Sequence, residues 1–120
     1  MKINVVITAG GTSQRYGVDN KLLAPCNDSC VLVEAIKPFL TTDGVSKIIV
    51  AIHPSFSDEF LNALENARIE DTRIILTNGG LTRTQTVKNG LRAIDDDCDY
   101  VIIHDGARPY VTNALIDSVV

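Results

Sequence analysis

The feature that most limits the fold is a run of apolar, β-branched residues near the start of the chain, from Ile3 to Thr8. Such a run is typical of a strand buried on both faces, as strands are in parallel sheets. A glycine-rich turn follows at Gly10 and Gly11, and then a polar, irregular stretch that reaches residue 30. A chain that begins in this way is predicted to build a parallel sheet, with its functional groups in the loops that follow the strands.

Strands and helices alternate along the rest of the chain. Further strands are predicted at Lys47 to Ile52, Arg73 to Thr77 and Tyr100 to His104. Helices are predicted at Val31 to Leu40, Ser57 to Ala67 and Thr82 to Ile94, with a last one from Thr112 or Asn113. In the third helix, the spacing of Val87, Leu91 and Ile94 predicts an inward face. The alternation predicts a Rossmann-like α/β fold, a mostly parallel sheet with helices on both faces.

Composition and charge exclude several classes of protein. Eleven Lys and Arg against fifteen Asp and Glu give a net charge of -4, which disfavours nucleic acid as a partner. No apolar run approaches the roughly 20 residues of a membrane span, and no export segment precedes the first strand. We therefore expect a cytoplasmic protein without a membrane or nucleic-acid partner. The odd set Cys26, Cys30 and Cys98 is expected to stay reduced.

The residues that follow the predicted strands are of the types that bind phosphates. They are Gly10, Gly11, Arg15 and Lys21 after the first strand, Gly79, Gly80, Arg83 and Thr86 after the third, and Asp105 and Arg108 after the fourth. In such sheets, ligands bind beyond the carboxyl ends of the strands. Arg and Lys hold phosphoryl oxygens, and a carboxylate is a good ligand for Mg²⁺. The set therefore predicts a site for a magnesium-bound nucleoside triphosphate.

Each of these residues also has an ordinary structural explanation. Arg15 and Lys21 could be solvated loop charges, Asp105 could cap a turn before Gly106, and Thr82 is well placed to cap a helix. Their joint placement after successive strands is what favours a site. Two familiar phosphate motifs are absent, because the sequence has neither a P-loop nor Gly-x-Gly-x-x-Gly after the first strand. A dinucleotide dehydrogenase is therefore not expected.

Three motif blocks carry a resemblance to a known family. They are Ala9-Gly10-Gly11-Thr12-Ser13-Gln14-Arg15 with Lys21, then Gly79-Gly80-x-x-Arg83-x-x-Thr86-Val87-x-Asn89-Gly90-Leu91, then His104-Asp105-Gly106-Ala107-Arg108-Pro109. In this order they resemble the N-terminal half of the 2-C-methyl-D-erythritol 4-phosphate cytidylyltransferases. Many sugar-nucleotide transferases share the first block, whereas the second and third are specific. The resemblance implies that residues 1–120 form the N-terminal part of a single nucleotidyltransferase domain, apparently truncated.

The resemblance also implies a role for each candidate residue. Arg15 and Lys21 would be catalytic, binding the CTP phosphates and stabilising charge on the α-phosphorus. The substrate-binding residues would be Ala9, Gly10, Gly11, Gly80, Arg83 and Thr86 around the nucleotide, and Arg108 near the phosphate of the acceptor. Asp105 would hold Mg²⁺ against the triphosphate. A phosphate oxygen of the acceptor would attack in line, and pyrophosphate would leave.

Departures from the family pattern leave alternatives open. Ser13 replaces a usual glycine, and Leu81 stands where the family often has an acidic residue. Family members are about twice as long as this sequence. The resemblance implies a homodimer formed through the C-terminal half that is absent here. It also implies that these 120 residues alone would show little or no turnover. The first hypothesis is transfer of CMP from CTP to 2-C-methyl-D-erythritol 4-phosphate, in non-mevalonate isoprenoid precursor synthesis. The alternatives are a ribitol 5-phosphate cytidylyltransferase and a catalytically incompetent nucleotide-binding half-domain.

Overall fold

A parallel sheet in the order β5-β4-β1-β6 forms the centre of the computed structural model, which describes residues 2–9, 25–26, 29–94 and 97–106. Its strands are β1 (Ile3–Ala9), β4 (Val45–Ile52), β5 (Ile74–Asn78) and β6 (Tyr100–Asp105). The helices are α1 (Val31–Leu40), α2 (Ser57–Asn66) and α3 (Arg83–Leu91). A short antiparallel pair, β2 (Pro25–Cys26) and β3 (Ser29–Cys30), precedes α1. The predicted Rossmann-like α/β architecture is confirmed.

Strand β1 lies at the centre of the sheet, as its apolar sequence predicts. All seven of its residues are buried, and Val5 is paired with Ile48 of β4 on one side and with Ile102 of β6 on the other. Even the polar Asn4 is fully buried, and its amide nitrogen donates to Ser46 Oγ at 2.9 Å. Burial of both faces explains why this strand does not alternate between apolar and polar residues.

One face of the sheet packs against α1 and α2. The apolar core on this face joins the odd-numbered residues of β1 to side chains of both helices, namely Leu32, Ile36, Phe39, Phe60 and Leu64. Each buried aliphatic or aromatic side chain of this kind contributes about 1.5–3 kcal/mol to folding. This face therefore holds most of the apolar packing in the described part of the chain.

Helix α3 packs on the opposite face, at very short range. A Cβ atom added to Gly90 would lie 2.4 Å from Val6 Cγ1 of β1, so only glycine permits this approach. The two buried residues of α3 are Thr86 and Gly90, both small. A helix that lies directly on a strand has no room for large side chains between them.

The prediction that Val87, Leu91 and Ile94 form the inward face of this helix is wrong. Val87 is only partly buried, Leu91 is 37% exposed, and Ile94 lies beyond the end of the helix. The prediction followed the spacing of the largest apolar residues, whereas the contact with β1 is made by a glycine and a threonine.

Helix α1 spans the predicted residues Val31–Leu40, and α2 begins at the predicted Ser57. A 3₁₀ turn at Pro54–Phe56 leads into α2, and His53 Nδ1 accepts from the Ser55 N–H at 3.1 Å. Pro38 lies in the last turn of α1, where its carbonyl accepts from the Thr42 hydroxyl at 2.8 Å. The predicted helix from Thr112 or Asn113 falls outside the described residues.

Two further expectations concern membranes and cysteines. Across the described ranges, every helix is too short or too polar to cross a membrane. Cys98 is a free thiol, and Cys30 is buried.

The amino-terminal edge of the sheet is held by one arginine. Arg73 Nε and one terminal nitrogen donate to the Asp71 carboxylate at 2.9 and 2.7 Å. The two terminal nitrogens also donate to the carbonyls of Val45 at 3.1 Å and Leu40 at 2.9 Å. The hydrogen bonds from Arg73 lower the pKa of Asp71 below its ordinary value. One side chain thus joins the end of α1 to the start of β4 and to the segment before β5.

We expect this ion pair to make part of the stability depend on pH. Because the pKa of Asp71 is lower in the folded chain than in the unfolded one, the pair stabilises the fold above the unfolded value of about 3.9. That contribution is lost as the pH falls through the folded pKa. In urea titrations between about pH 6 and about pH 2, Asp71→Asn should lose less unfolding free energy on acidification than the wild type.

The exposed neighbour Glu70 provides the control for this measurement. Glu70→Gln should keep the wild-type dependence on pH. An Asp71→Asn protein that lost as much stability on acidification as the wild type would contradict the assigned role of the pair.

A second prediction concerns the close contact between α3 and β1. Helix propensity alone predicts that Gly90→Ala stabilises a helix by about 1 kcal/mol. Because the added Cβ would meet Val6, we expect destabilisation by about 1–3 kcal/mol, the usual cost of overpacking. Urea unfolding measures the difference, with Lys88→Ala on an exposed position of the same helix as the control. A more stable Gly90→Ala protein would show that the helix has room to move away.

Candidate functional site

The carboxyl ends of the parallel strands meet along one edge of the sheet, called here the carboxyl edge and formed by Ala9, Ile52, Asn78 and Asp105. Ala9 is paired with Ile52, and Asp105 is paired with Thr8. The Gly79 N–H donates to the Ile52 carbonyl at 2.8 Å, and the Gly106 N–H donates to the Thr8 carbonyl at 3.0 Å. The backbone after β5 and the backbone after β6 therefore both leave from this edge.

The strand order changes direction between β1 and β6. From β1 the chain passes through α1 to β4 and through α2 to β5, and then α3 leads back to β6 on the other side of β1. In open α/β sheets, ligands bind in the crevice outside the strand ends at such a switch point. Ala9 and Asp105 stand at the ends of the two strands that flank it.

The loop that follows β5, residues 79–82, is called here the second glycine loop, and the N–H groups of its first three residues donate to groups within the protein. After the Gly79 bond to the sheet, the Gly80 N–H donates to Thr86 Oγ1 at 3.0 Å, and the Leu81 N–H donates to Gln85 Oε1 at 3.0 Å. While these bonds hold, the three N–H groups are not available to a phosphate. Gly79, Gly80 and Leu81 therefore do not form an amide cradle for an anion while these bonds hold.

Gly80 has a structural explanation of its own. A Cβ atom at this position would lie 2.3 Å from Gln85 Cβ and 3.0 Å from the Gln85 carbonyl carbon. Glycine is thus required here by the first turn of α3, which packs against the loop. The space left by the missing side chain is thus filled by α3.

The start of α3 positions the remaining candidates of the second motif block. Thr82 caps the helix as predicted, because its Oγ1 accepts from the Gln85 N–H at 3.1 Å. Arg83 is the first helical residue and is exposed, and no hydrogen bond or ion pair of its side chain occurs within the described ranges. Thr86 is fully buried, and its hydroxyl donates to the Thr82 carbonyl at 2.9 Å. Arg83 can therefore meet an anion, whereas Thr86 supports the loop from beneath.

The two ionisable residues at the end of β6 lie on opposite faces of the sheet, because successive side chains of a strand alternate. His104 packs edge-on against Phe39 of α1, with ring centroids 5.4 Å apart. His104 is thus part of the packing between β6 and α1. Asp105 is half-buried and shares its face with Thr8.

Asp105 is also the candidate ligand for Mg²⁺. The described ranges hold no cluster of three or more His, Cys, Asp or Glu side chains that could bind a metal unaided. Magnesium is usually held by one or two carboxylates, with water and substrate phosphates as the other ligands. A single carboxylate at a strand end fits that pattern.

The structure brings five predicted site residues to the carboxyl edge: Ala9, Gly80, Arg83, Thr86 and Asp105. Gly80 follows β5 and Asp105 ends β6, so three strand spacings of about 4.8 Å, roughly 14 Å in all, separate them along the sheet. A ligand that reaches both must be extended. Gly10, Gly11, Arg15, Lys21 and Arg108 lie outside the described residues, and their predicted roles stay predictions.

Sequence reasoning missed Gln85. The signal for it was the spacing Thr82-x-x-Gln85, which matches the capping box found at helix starts. The preceding pair Gly79-Gly80 indicates a loop but does not indicate which side chain holds it.

Comparison with known proteins agrees with the fold and the motif blocks. The family model for 2-C-methyl-D-erythritol 4-phosphate cytidylyltransferase matches residues 3–120. The enzyme of that name from Bacillus velezensis is 36% identical over 121 residues, covering 100% of this chain and 51% of that protein. A ribitol-5-phosphate cytidylyltransferase from Streptococcus pneumoniae is 31% identical over 118 residues, covering 92% of this chain and 50% of that protein.

A solved structure shows the same architecture. The 4-diphosphocytidyl-2C-methyl-D-erythritol synthase of Anaerococcus prevotii superposes with a TM-score of 0.80 at 26% identity, covering 98% of this chain and 48% of that one. The chain thus spans about half the length of each of these relatives. With a family match over almost its whole length and the fold of a solved relative, the chain belongs to the 2-C-methyl-D-erythritol 4-phosphate cytidylyltransferase family.

Proposed function

We propose that this chain supplies the CTP-binding part of an enzyme that transfers CMP from CTP to 2-C-methyl-D-erythritol 4-phosphate. Pyrophosphate is the other product, and the reaction serves isoprenoid precursor synthesis by the non-mevalonate pathway. The observation that carries the proposal is the arrangement of two specific motif blocks at one carboxyl edge, with the second glycine loop at one end and Asp105 at the other. Membership of the family supports the choice of nucleotide and acceptor.

The described residues fit an extended nucleotide laid along the carboxyl edge. In the proposed arrangement, the cytosine lies against the second glycine loop, which packs closely against α3 at Gly80 and is supported by the buried Thr86. The exposed guanidinium of Arg83 stands beside it. The triphosphate extends toward the switch point between Ala9 and Asp105, where two neighbouring strands end.

The chemistry then falls mainly to cations. Arg15 and Lys21 bind the phosphates and stabilise the charge that grows on the α-phosphoryl group as it is attacked, while Gly10 and Gly11 allow close backbone approach. Phosphoryl and nucleotidyl transfer depend on positioning and charge stabilisation rather than on a protein nucleophile. Mg²⁺, held by Asp105, would supply charge neutralisation of the triphosphate when bound. Arg108 would orient the acceptor phosphate.

The second candidate acceptor is ribitol 5-phosphate. It is favoured by one observation, the match to the Streptococcus pneumoniae ribitol-5-phosphate cytidylyltransferase, which is 31% identical and covers 92% of this chain. The two acceptors are both phosphorylated polyols, so the CTP loops serve either one. The incompetent half-domain is a third proposal, in which CTP binds and no product forms.

Two properties of the whole protein are also proposed. We infer a homodimer, formed through the part of the family's length that lies beyond these 120 residues, and a cytoplasmic location. The net charge of -4 supports the absence of a nucleic-acid partner.

The choice of acceptor is tested with protein expressed from the complete reading frame. Given CTP and Mg²⁺, the protein should release pyrophosphate with 2-C-methyl-D-erythritol 4-phosphate and much more slowly with ribitol 5-phosphate. Release with ribitol 5-phosphate alone would overturn the acceptor. CTP binding without pyrophosphate from either acceptor would favour the incompetent half-domain.

The role of Lys21 is tested by Lys21→Ala. Loss of a charge contact made in the transition state should lower turnover by about 10²-fold or more. The matched control is Lys37→Ala on α1, because Lys37 is paired with Glu34 at 2.8 Å near the far end of that helix. Turnover of the control should match the wild type, and normal turnover by Lys21→Ala would remove Lys21 from the mechanism.

A further inference from the structure

We propose that Gln85 is a positioning residue that holds the second glycine loop in the shape to which the nucleotide binds. The expected effect on CTP affinity rests on the proposed function. The hydrogen bond by which Gln85 holds the loop is observed in the structure. Gln85 touches no reacting group in this account, and it acts through the backbone of Leu81.

The contact joins the side chain of Gln85 to the backbone of the residue before the helix cap. Gln85 Oε1 accepts from the Leu81 N–H at 3.0 Å, while the Gln85 N–H donates to Thr82 Oγ1 at 3.1 Å. In the usual capping box, the side chain of the third helical residue holds the N–H of the cap itself. Here it reaches one residue further back, so the bond fixes the loop as well as the helix start.

Within the part of the chain that the structure describes, packing of its side chain does not hold Leu81 in place. Its side chain is 79% exposed, so the apolar core does not hold it in place. The residue before it, Gly80, is a glycine, whose backbone has the widest choice of conformations in an unconstrained chain. Among the described residues, the hydrogen bond from its N–H to Gln85 is therefore the contact that holds the Leu81 backbone.

Three consecutive N–H groups anchor the loop, and each donates to a different partner. The Gly79 N–H bonds to the sheet through Ile52, the Gly80 N–H bonds to the buried Thr86, and the Leu81 N–H bonds to the exposed Gln85. The first two anchors are tied to the sheet and to a buried side chain, whereas the third is open to solvent. Gln85 is thus the anchor whose loss would loosen the loop without disturbing the core.

A loosened loop should bind its ligand less tightly. A ligand that meets a loop already in its bound shape does not have to order it, and preorganisation of this kind increases affinity. A single hydrogen bond with a net value of about 1 kcal/mol corresponds to a change of roughly fivefold to tenfold in an equilibrium constant. The expected loss in CTP affinity is of that size.

The test compares Gln85→Met, which keeps the length of the side chain but removes its acceptor, with Gln85→Glu, which keeps an acceptor oxygen. Amide hydrogen exchange by NMR is measured for each protein without nucleotide, and CTP affinity by calorimetry with Mg²⁺. In Gln85→Met, the Leu81 amide should exchange about fivefold to tenfold faster, and CTP should bind weaker by a similar factor. Gln85→Glu should retain the slow exchange of Leu81.

Two controls separate this role from a general loss of stability. Thr84→Ala changes an exposed residue of the same helical turn, and Arg73→Leu weakens the opposite edge of the sheet. Both should leave CTP affinity and Leu81 exchange within about twofold of the wild type, which lies below the effect expected for Gln85→Met. Amides of β4 report any global opening, and in Gln85→Met they should stay as protected as in the wild type.

The proposal is overturned if Gln85→Met keeps the slow exchange of Leu81, or if that variant loosens the loop and yet binds CTP as tightly as the wild type. If the wild-type protein binds no CTP, the proposed function fails. In that case the exchange rates alone test whether Gln85 holds the loop. Faster Leu81 exchange in Gln85→Met but not in the controls supports this role, and unchanged exchange contradicts it.

Discussion

Burial of strand β1 on every side is the constraint on which the rest of this structure depends. All seven of its residues are paired with β4 and six of them with β6, and both of its faces are covered, one by the apolar core under α1 and one by α3. A strand surrounded in this way has a fixed register, because a shift by one residue would exchange its two faces. The carboxyl ends of β1, β4 and β6 are consequently fixed relative to one another, and so are the loops that leave from them.

The two ends of the candidate site, Asp105 and the second glycine loop, are held in place by different kinds of contact. At the switch point, Asp105 is placed by strand pairing with Thr8, which needs no side-chain contact. At the other end, the second glycine loop is placed by side chains of α3, which is itself held against β1 by the close approach at Gly90. A change in the packing of α3 would therefore move the loop but not Asp105, so the proposed nucleotide contact and the proposed metal contact depend on different parts of the fold.

Much of the fold could be predicted because its signals are local. The apolar run of β1 and the Thr82 cap each depend on a few adjacent residues, and both are found where the sequence indicates. The face of α3 could not be predicted, because spacing marked Val87 and Leu91 while the real contact is made by the small residues Thr86 and Gly90. Nothing within the helix reveals that Val6 of β1 will come so close.

The candidate site was predictable to a similar degree. Motif blocks marked Gly80, Arg83 and Asp105 as candidates, and parallel strands bring such blocks to one edge whatever their separation in sequence. The direction of the hydrogen bonds in the second glycine loop was not predictable, because it depends on where the side chains of Gln85 and Thr86 reach. Those bonds change the chemistry of the loop, since they take up N–H groups that a glycine-rich segment would otherwise offer to a phosphate.

The most direct test of the central claim is an NMR titration of the ¹⁵N-labelled protein with CTP and Mg²⁺. The amides of Ala9, Gly80, Arg83 and Gly106 lie at or beside the carboxyl edge, whereas those of Gly44 and Arg73 lie at the opposite edge of the sheet. If the account is correct, the first group shifts together with one affinity and the second group stays unchanged. Shifts centred on Gly44 and Arg73, or no saturable shift at the carboxyl edge, would contradict it.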